Sequence, residues 1–459
     1  MSKDEGAAIS ARLDRLPATR YVWRLVLLLS LGGCFEFYDI FFTAYIGPGL
    51  VRSGIFSRTS AAFFGFSGLA SFVAATFAGL FIGTLLFSFV ADRFGRRLIF
   101  AWSLLWYTAA TVVMAFQNTA TSILVWRTIA GIGIGVELVT IDAYIAELMP
   151  KELRGRAFGV NHVVQLMMVP SVALLAWWLV PRQPFGLDGW RWVVLIGSVG
   201  AVFIWFIRRG VPESPRWLIA HGRFEEAERA TSMMEARVER ELGRALPPPH
   251  SEPSEEPHGS FFEIFRAPYL SRTLMLMVFH LFQTIGYYGF ASWVPTLLIS
   301  SGVTITSSLQ YSFIIATAAP VGPLLAISIA DKLERKWLIV GSAICIAGFG
   351  LLFARQTTPV WLIACGVALT FSNNCMSFAF HAYQAELFPT RVRARAVGFV
   401  YSWSRLSAIF ASFLIGFILR DFGVTGVFAF IAASMLVVAL SIGIFGPRTC
   451  GLALEDISH

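Results

Sequence analysis

Charge is what this chain has least of. Asp, Glu, Lys and Arg make up 14% of its 459 residues while 56% are hydrophobic, more apolar surface than a soluble core of this size can hide. Cysteine is sparse too: Cys34, Cys345, Cys365, Cys375 and Cys450 show no paired spacing, which argues against a disulfide framework and a zinc site. There is no nucleophile–base constellation, metal cluster or phosphate-binding loop. The chain is therefore expected not to be an enzyme, and to bind no metal and no cofactor.

What it does have is long apolar runs. A bilayer's hydrocarbon core is roughly 30 Å thick, so a helical crossing takes about 20 mostly apolar residues. Twelve runs qualify, near 22–47, 62–90, 98–116, 122–148, 156–180, 191–209, 270–299, 307–330, 337–354, 359–385, 396–419 and 424–446. The first is long and lacks a small-residue cleavage site, so it is read as a membrane helix and not a removed signal peptide. Basic residues gather on one side of the crossings: Arg12, Arg15 and Arg20, then Arg93, Arg96 and Arg97, then Lys151, Arg154 and Arg156. The positive-inside rule then places both termini in the cytoplasm of a multi-pass protein of the cytoplasmic (inner) membrane. The formal net charge of +8 records this topology, and no nucleic-acid partner is expected.

The phrase "AELMPKELRGRAFG" (146–159) returns as "AELFPTRVRARAVG" (385–398), with Glu147, Pro150, Arg154, Arg156 and Gly159 recurring as Glu386, Pro389, Arg393, Arg395 and Gly398 at one displacement of 239 residues. The same displacement carries "GTLLFSFVADRFGRR" (83–97) onto "GPLLAISIADKLERK" (322–336), and Tyr144 onto Tyr383. Two six-helix bundles in the same orientation follow: 22–209 and 269–446, with a tail at 1–21, a linker at 210–268 and a second tail at 447–459. In the linker, 223–244 reads as a helix, with Glu225 four residues before Arg229, and the Pro/Ser/Glu run at 246–258 as a flexible connector.

This duplicated arrangement resembles the major facilitator superfamily, whose parallel halves rock about a midplane site. "ADRFGRR" (91–97) is similar to that family's loop between helices 2 and 3, and "RTIAGIGIG" (127–135) to its helix 4 motif. "PESPRWL" (212–218) and "GPRTCGLALEDI" (446–457) resemble the ends of each half in the sugar-porter branch. The resemblance implies an all-α membrane fold of twelve transmembrane helices in two parallel six-helix repeats. Alternating access asks for a latch that holds and releases within a few kcal/mol, which exposed ion pairs of roughly 0–1 kcal/mol suit. Candidates for this cytoplasmic gate are Asp92, Arg93, Arg96, Glu147 and Arg156, with Asp331, Arg335, Glu386 and Arg395; the basic members alone also serve orientation.

An ionisable residue inside a membrane helix costs roughly 2.5–3.5 kcal/mol, which makes each one a functional candidate. "GGCFEFYD" (32–39) puts Glu36 and Asp39 on one face of the first helix. It resembles the helix 1 motif of proton-coupled sugar porters, and by that resemblance Asp39 takes the proton and Arg127 modulates it; a permanent structural ion pair is the alternative. Glu36 departs from the sugar-porter pattern and is a second proton site or a substrate contact. In "FHLFQTIGYYGFASWVP" (279–295), Gln283 and Gly286 match the sugar porters, but Tyr287 and Tyr288 stand where Asn is expected, a spelling similar to nicotinate-type and other organic-acid symporters.

Arg405 lies about ten residues into its helix from Arg395, near mid-depth. A guanidinium grips a carboxylate bidentately, and organic-ion transporters carry a similar Arg near their substrate, so Arg405 is the candidate anion anchor, unless a fixed protein carboxylate pairs it. Tyr287 and Tyr288 are candidates to stack on a flat acid. Gln165, His280, Gln283, Asn373 and Asn374 either bind substrate or satisfy each other. Asp142 and His381, which coincide under the same displacement, are candidate gate or proton-relay members. The expected function is proton-coupled import of a small organic acid, the partners being that organic anion, protons and the lipid bilayer, with a monomer as the working unit. Rival readings are proton–sugar symport, proton-driven export of organic compounds, and a membrane sensor that transports nothing.

Overall fold

The computed structural model describes residues 3–56, 61–62, 66–200, 210–249, 261–329, 334–388 and 390–449. The readings at 201–209, at Asp331 and Pro389, in the 250–258 part of the linker run and in the tail from Cys450 lie outside these residues. Described helices are α1 (Lys3–Asp14), α2 (Arg20–Arg52), α3 (Gly68–Phe94), α4 (Arg96–Ala115), α5 (Ala120–Leu148), α6 (Arg154–Leu166), α7 (Met168–Leu179) and α8 (Gly189–Ser198). After these come α9 (Pro215–Ala220), α10 (Phe224–Leu242), α11 (Tyr269–Ala291), α12 (Val294–Ser300), α13 (Ile305–Ala316) and α14 (Ala318–Ile329). The series ends with α15 (Arg335–Arg355), α16 (Pro359–Glu386) and α17 (Thr390–Leu440). Ala61–Ala62 and Phe66–Ser67 form a two-residue antiparallel pairing before α3.

Among the described residues, ten segments are long and apolar enough to cross a membrane. The last of them, Arg395–Phe445, holds two crossings, because α17 turns at Gly423, whose φ of 65° is open to glycine alone at little cost. With α8 opening the sixth predicted segment, the twelve-helix arrangement is accounted for. Three predicted single helices are broken in the structure. The run at 156–180 divides at Met167, the run at 270–299 at Ser292–Trp293 and the run at 307–330 at Thr317. Each break sits three residues before a proline, Pro170, Pro295 and Pro320, whose missing N–H and bulky ring disrupt the preceding turn.

Close packing within the first half explains the glycines of "RTIAGIGIG". Side chains added at Gly131 and Gly135 would meet backbone of α3 at 2.7 and 2.4 Å, and Gly79 and Gly83 of α3 meet α5 in the same way. Small residues at this spacing let two membrane helices touch backbone to backbone. Between the halves, α3 packs on α17, α7 on α13 and α6 on α14. The predicted tail at 1–21 contains α1, which docks on the linker helix α10: Arg12 pairs with Glu235 (2.6 Å) and Glu228 (2.7 Å), and Arg15 with Glu235 (2.5 Å). Leu13 and Leu16 pack beside Met234 and Val238 in the same contact.

Candidate functional site

The arginine-rich loops share one end of the bundle, called here the basic end. There α4 starts after Gly95, whose φ of 96° and lack of a side chain admit the Glu213 carboxylate; a Cβ would meet it at 2.7 Å. Glu213 accepts from the backbone N–H groups of Arg96 (3.0 Å) and Arg97 (3.2 Å), so the "PESPRWL" segment caps α4 from a distance. Arg96 also pairs with Glu147 at 2.9 Å. The second half repeats the device: Arg335 pairs with Glu386 at 2.6 Å, and Glu334 accepts from the Thr449 N–H at 2.9 Å. Tyr144 donates to the Pro212 carbonyl, and Tyr383 to that of Pro447.

Each of these ion pairs lies inside one half. They staple the loop before α4 or α15 to the end of α5 or α16, and in this conformation they do not bridge the halves as a latch would. Arg93, Arg156 and Arg395 are exposed; the backbone of Asp92 lies in the last turn of α3 but its side chain lies outside the described residues, as does Asp331 altogether.

Deeper in the first half, Asp39 and Arg127 meet. The guanidinium donates to the Asp39 carboxylate, to Thr76 (2.8 Å) and to Thr43 (2.6 Å), and Thr111 donates to the other carboxylate oxygen at 2.9 Å. Phe42 lies under the guanidinium at 4.6 Å. The pair is buried and well satisfied.

Two other carboxylates are not. Glu36 is 1% exposed and Glu137, on α5, is 0% exposed, and none of their four carboxylate oxygens has a hydrogen-bond partner among the described residues. The charges acting on Glu36 are Asp142 and Arg405, from opposite halves. Asp142 and His381 are exposed, whereas Glu36 near Asp142 is buried. His162 on α6 faces His381 on α16 from the other half, ring centroids 6.1 Å apart.

Arg405 is 4% exposed and makes no ion pair among the described residues. Its polar neighbours are the hydroxyls of Tyr288 (3.2 Å) and Tyr401 (3.4 Å), it lies over the Tyr401 ring at 5.1 Å, and its Nε has no partner. The fixed-carboxylate alternative is therefore not what this structure has. His280 is held by Gln384 at 2.9 Å and packs on Tyr401. Gln283 is buried beside Thr284, and Gln165 sits against Gly33 of α2.

Tyr287 stands edge-on to Tyr288 and, with Tyr45, Thr370, Asn373 and Asn374, lines a cavity of about 30 Å³. The Oδ1 atoms of both asparagines are buried without partners. That volume is too small for an organic acid. Trp177 stacked on Phe313 (6.0 Å) and Phe77 against Tyr288 (4.6 Å) close the halves there.

Sequence reasoning left Tyr401, Glu137 and His162 without a role, and Gln384 unnoticed. Intramembrane depth was the available signal for the two titratable ones; for Tyr401 it was its place one turn before Arg405.

The model of the family described as "Sugar (and other) transporter" matches residues 25–459. The inner membrane metabolite transport protein YdjE of Escherichia coli (strain K12) is 30% identical over 462 residues, 98% of each chain. The niacin transporter NiaP of Acinetobacter baylyi is 27% identical over 450 residues, 97% of this chain and 99% of that one. Among solved structures, a partially occluded inward-open conformation of the xylose transporter XylE from E. coli superposes with a TM-score of 0.74 at 20% identity, over 95% of this chain and 100% of that one. At that identity the likeness is one of fold.

Proposed function

Because the chain belongs to the sugar (and other) transporter family of the major facilitator superfamily, a family of membrane transporters, we propose that it imports a small organic acid, of the aromatic monocarboxylate class, together with a proton. In this reading it lies in the cytoplasmic membrane with the basic end and both termini inside, as the arginine distribution suggests. The observation that carries the substrate class is Arg405: a buried guanidinium near mid-depth, held by two tyrosine hydroxyls and lacking a protein anion, is built to receive one. The rings of Tyr288 and Tyr401 beside it suit a flat acid. The likeness to a niacin transporter over nearly the whole chain points the same way.

Coupling follows from charge. A carboxylate arriving at Arg405 takes over the attraction that Arg405 exerts on Glu36, so Glu36 holds a proton while the substrate is bound. With the anion neutralising Arg405 and a proton neutralising Glu36, the cavity closes without a bare charge; released to the cytoplasm, both leave and the empty carrier resets. Each ligand drives the cycle only in so far as it prefers one state.

Uptake of labelled nicotinate into proteoliposomes under an imposed pH difference is the test. Accumulation that collapses with the gradient and is competed by benzoate but not by hexoses supports the reading. Arg405→Lys is expected to raise the half-saturating nicotinate concentration roughly tenfold or more, about 1.4 kcal/mol per factor of ten. Proton–sugar symport has its own support in Gln165, Gln283 and the two unpartnered asparagines. Competition by hexoses and not by benzoate would favour it.

A further inference from the structure

Glu137 has no place in the scheme above, yet it is fully buried in the membrane-spanning part of α5 and both of its carboxylate oxygens lack partners. It lies beside Glu36, which does have one. Along α5 the order is Arg127, Glu137, Asp142, ten and then five residues apart, about 15 and 7.5 Å by the helical rise. On α2, Asp39 and then Glu36 run in the same direction toward the basic end. Glu137 reaches across to α2 where Gly32 leaves room: a Cβ on Gly32 would stand 3.5 Å from its Oε1, and Glu36 is one turn further along the same face.

The surroundings name what such a group binds. The charged and titratable neighbours acting on Glu137 are Glu36 and Asp39 of α2 and Tyr107 of α4; its own helix adds Arg127, which is engaged by Asp39, and Asp142 beyond Glu36. Arg405 of α17 acts on Glu36. No cation pairs with Glu137 among the described residues. The Tyr107 hydroxyl is beside it, without a well-formed hydrogen bond, and one turn on along the same face of α4 Thr111 bonds Asp39. Two neighbouring buried carboxylates whose oxygens make no ion pair and no well-formed hydrogen bond among the described residues do not both stay ionised. The ligand that resolves this is a proton.

We propose that Glu137 carries a proton in the transport cycle, standing beside Glu36 on the side toward the basic end, with the Asp39–Arg127 pair on the other side of Glu36, an assignment that rests on the proton-coupled reading above. At each step one carboxyl O–H bond breaks and one forms. Asp39 passes its proton to the Glu36 carboxylate, about one turn along α2, and regains its charge against Arg127; Glu36 then passes a proton across to the Glu137 carboxylate at Gly32. Tyr107 and Thr111 position the two transfers and exchange nothing with substrate.

Two measurements on the full chain test this. In proteoliposomes, Glu137→Gln is expected to keep nicotinate exchange between equal concentrations but to lose pH-driven accumulation roughly a hundredfold, the low end of what a positioned proton carrier contributes. Glu137→Asp is expected to keep accumulation with a displaced pH profile. A Gln variant that accumulates nicotinate with wild-type pH dependence overturns the proposal. The second measurement needs no substrate: a hydrophobic carbodiimide, which modifies protonated carboxyls, is applied to purified protein across a pH series and the adduct located by mass spectrometry. Modification of Glu137 that declines as pH rises supports the proposal, and absence of modification or indifference to pH overturns it. If wild-type protein moves no nicotinate, the substrate reading falls while the carbodiimide series still decides the role of Glu137.

Discussion

At the scale of single residues, the site turns on which buried charges are satisfied. Asp39 and Arg127 complete each other, so removing one strands the other, a loss of about 3–5 kcal/mol for a buried pair. Asp39→Asn is expected to lower the melting temperature of the purified protein and to abolish uphill nicotinate uptake while exchange persists. Adding Arg127→Gln should recover most of the lost stability and none of the accumulation; a double variant as unstable as the sum of the two singles would show that the residues do not act as a pair. In the sequence this pairing was legible through the resemblance of the first helix to the helix 1 motif of proton-coupled sugar porters. The sequence marked Glu137 as an intramembrane charge without giving it a role, since depth alone gives a residue's cost and not its neighbours. For Arg405 the anchor reading depended on the absence of a facing carboxylate, which only the packing of α17 against α11 reveals.

At the scale of elements, the repeated phrase marks the place where each half closes on itself. Its acidic and basic members were legible as ion-pair partners from the 239-residue displacement, but one dimension does not tell a contact within a half from one across halves. The cap on α4 was hidden for a related reason: Glu213 follows α4 by roughly a hundred residues, and its role appears only where Gly95 leaves space for it. Gly95→Ala should therefore cost about 1–3 kcal/mol, from the unfavourable φ and the collision with Glu213 together, read as a lower melting temperature. Gly155→Ala, at a position with open space around it, is the matched control and should change little. The breaks in three predicted helices had a visible cause in Pro170, Pro295 and Pro320, which apolar run length alone overlooks.

For the whole molecule, the linker helices ride on the first half. Partial burial pushes the Glu235 carboxyl up, but hydrogen bonds and charge from Arg12 and Arg15 outweigh it and hold the group below the usual carboxylate range. Glu228 is likewise held low by its hydrogen bond to Arg12. A carboxyl depressed in the folded state contributes stability that is complete above its unfolded value, about 4.3, and lost as pH falls through the folded one. Acidification below about 4 should thus free α1 from α10, seen as faster proteolysis within residues 15–20 while the membrane helices stay intact. Glu235→Gln should bring the same change on at neutral pH, at a cost of roughly 1.5–3 kcal/mol for a buried carboxylate that loses its charged hydrogen bonds to two arginines.

The end of the bundle opposite the basic end is sealed by rings: Trp177 on Phe313 and Phe77 on Tyr288. A plug of this kind has no field for dissolved ions to screen, so ionic strength leaves it alone. Chilling weakens apolar association in water, and the ring-sealed end of this carrier is accordingly expected to loosen as temperature drops.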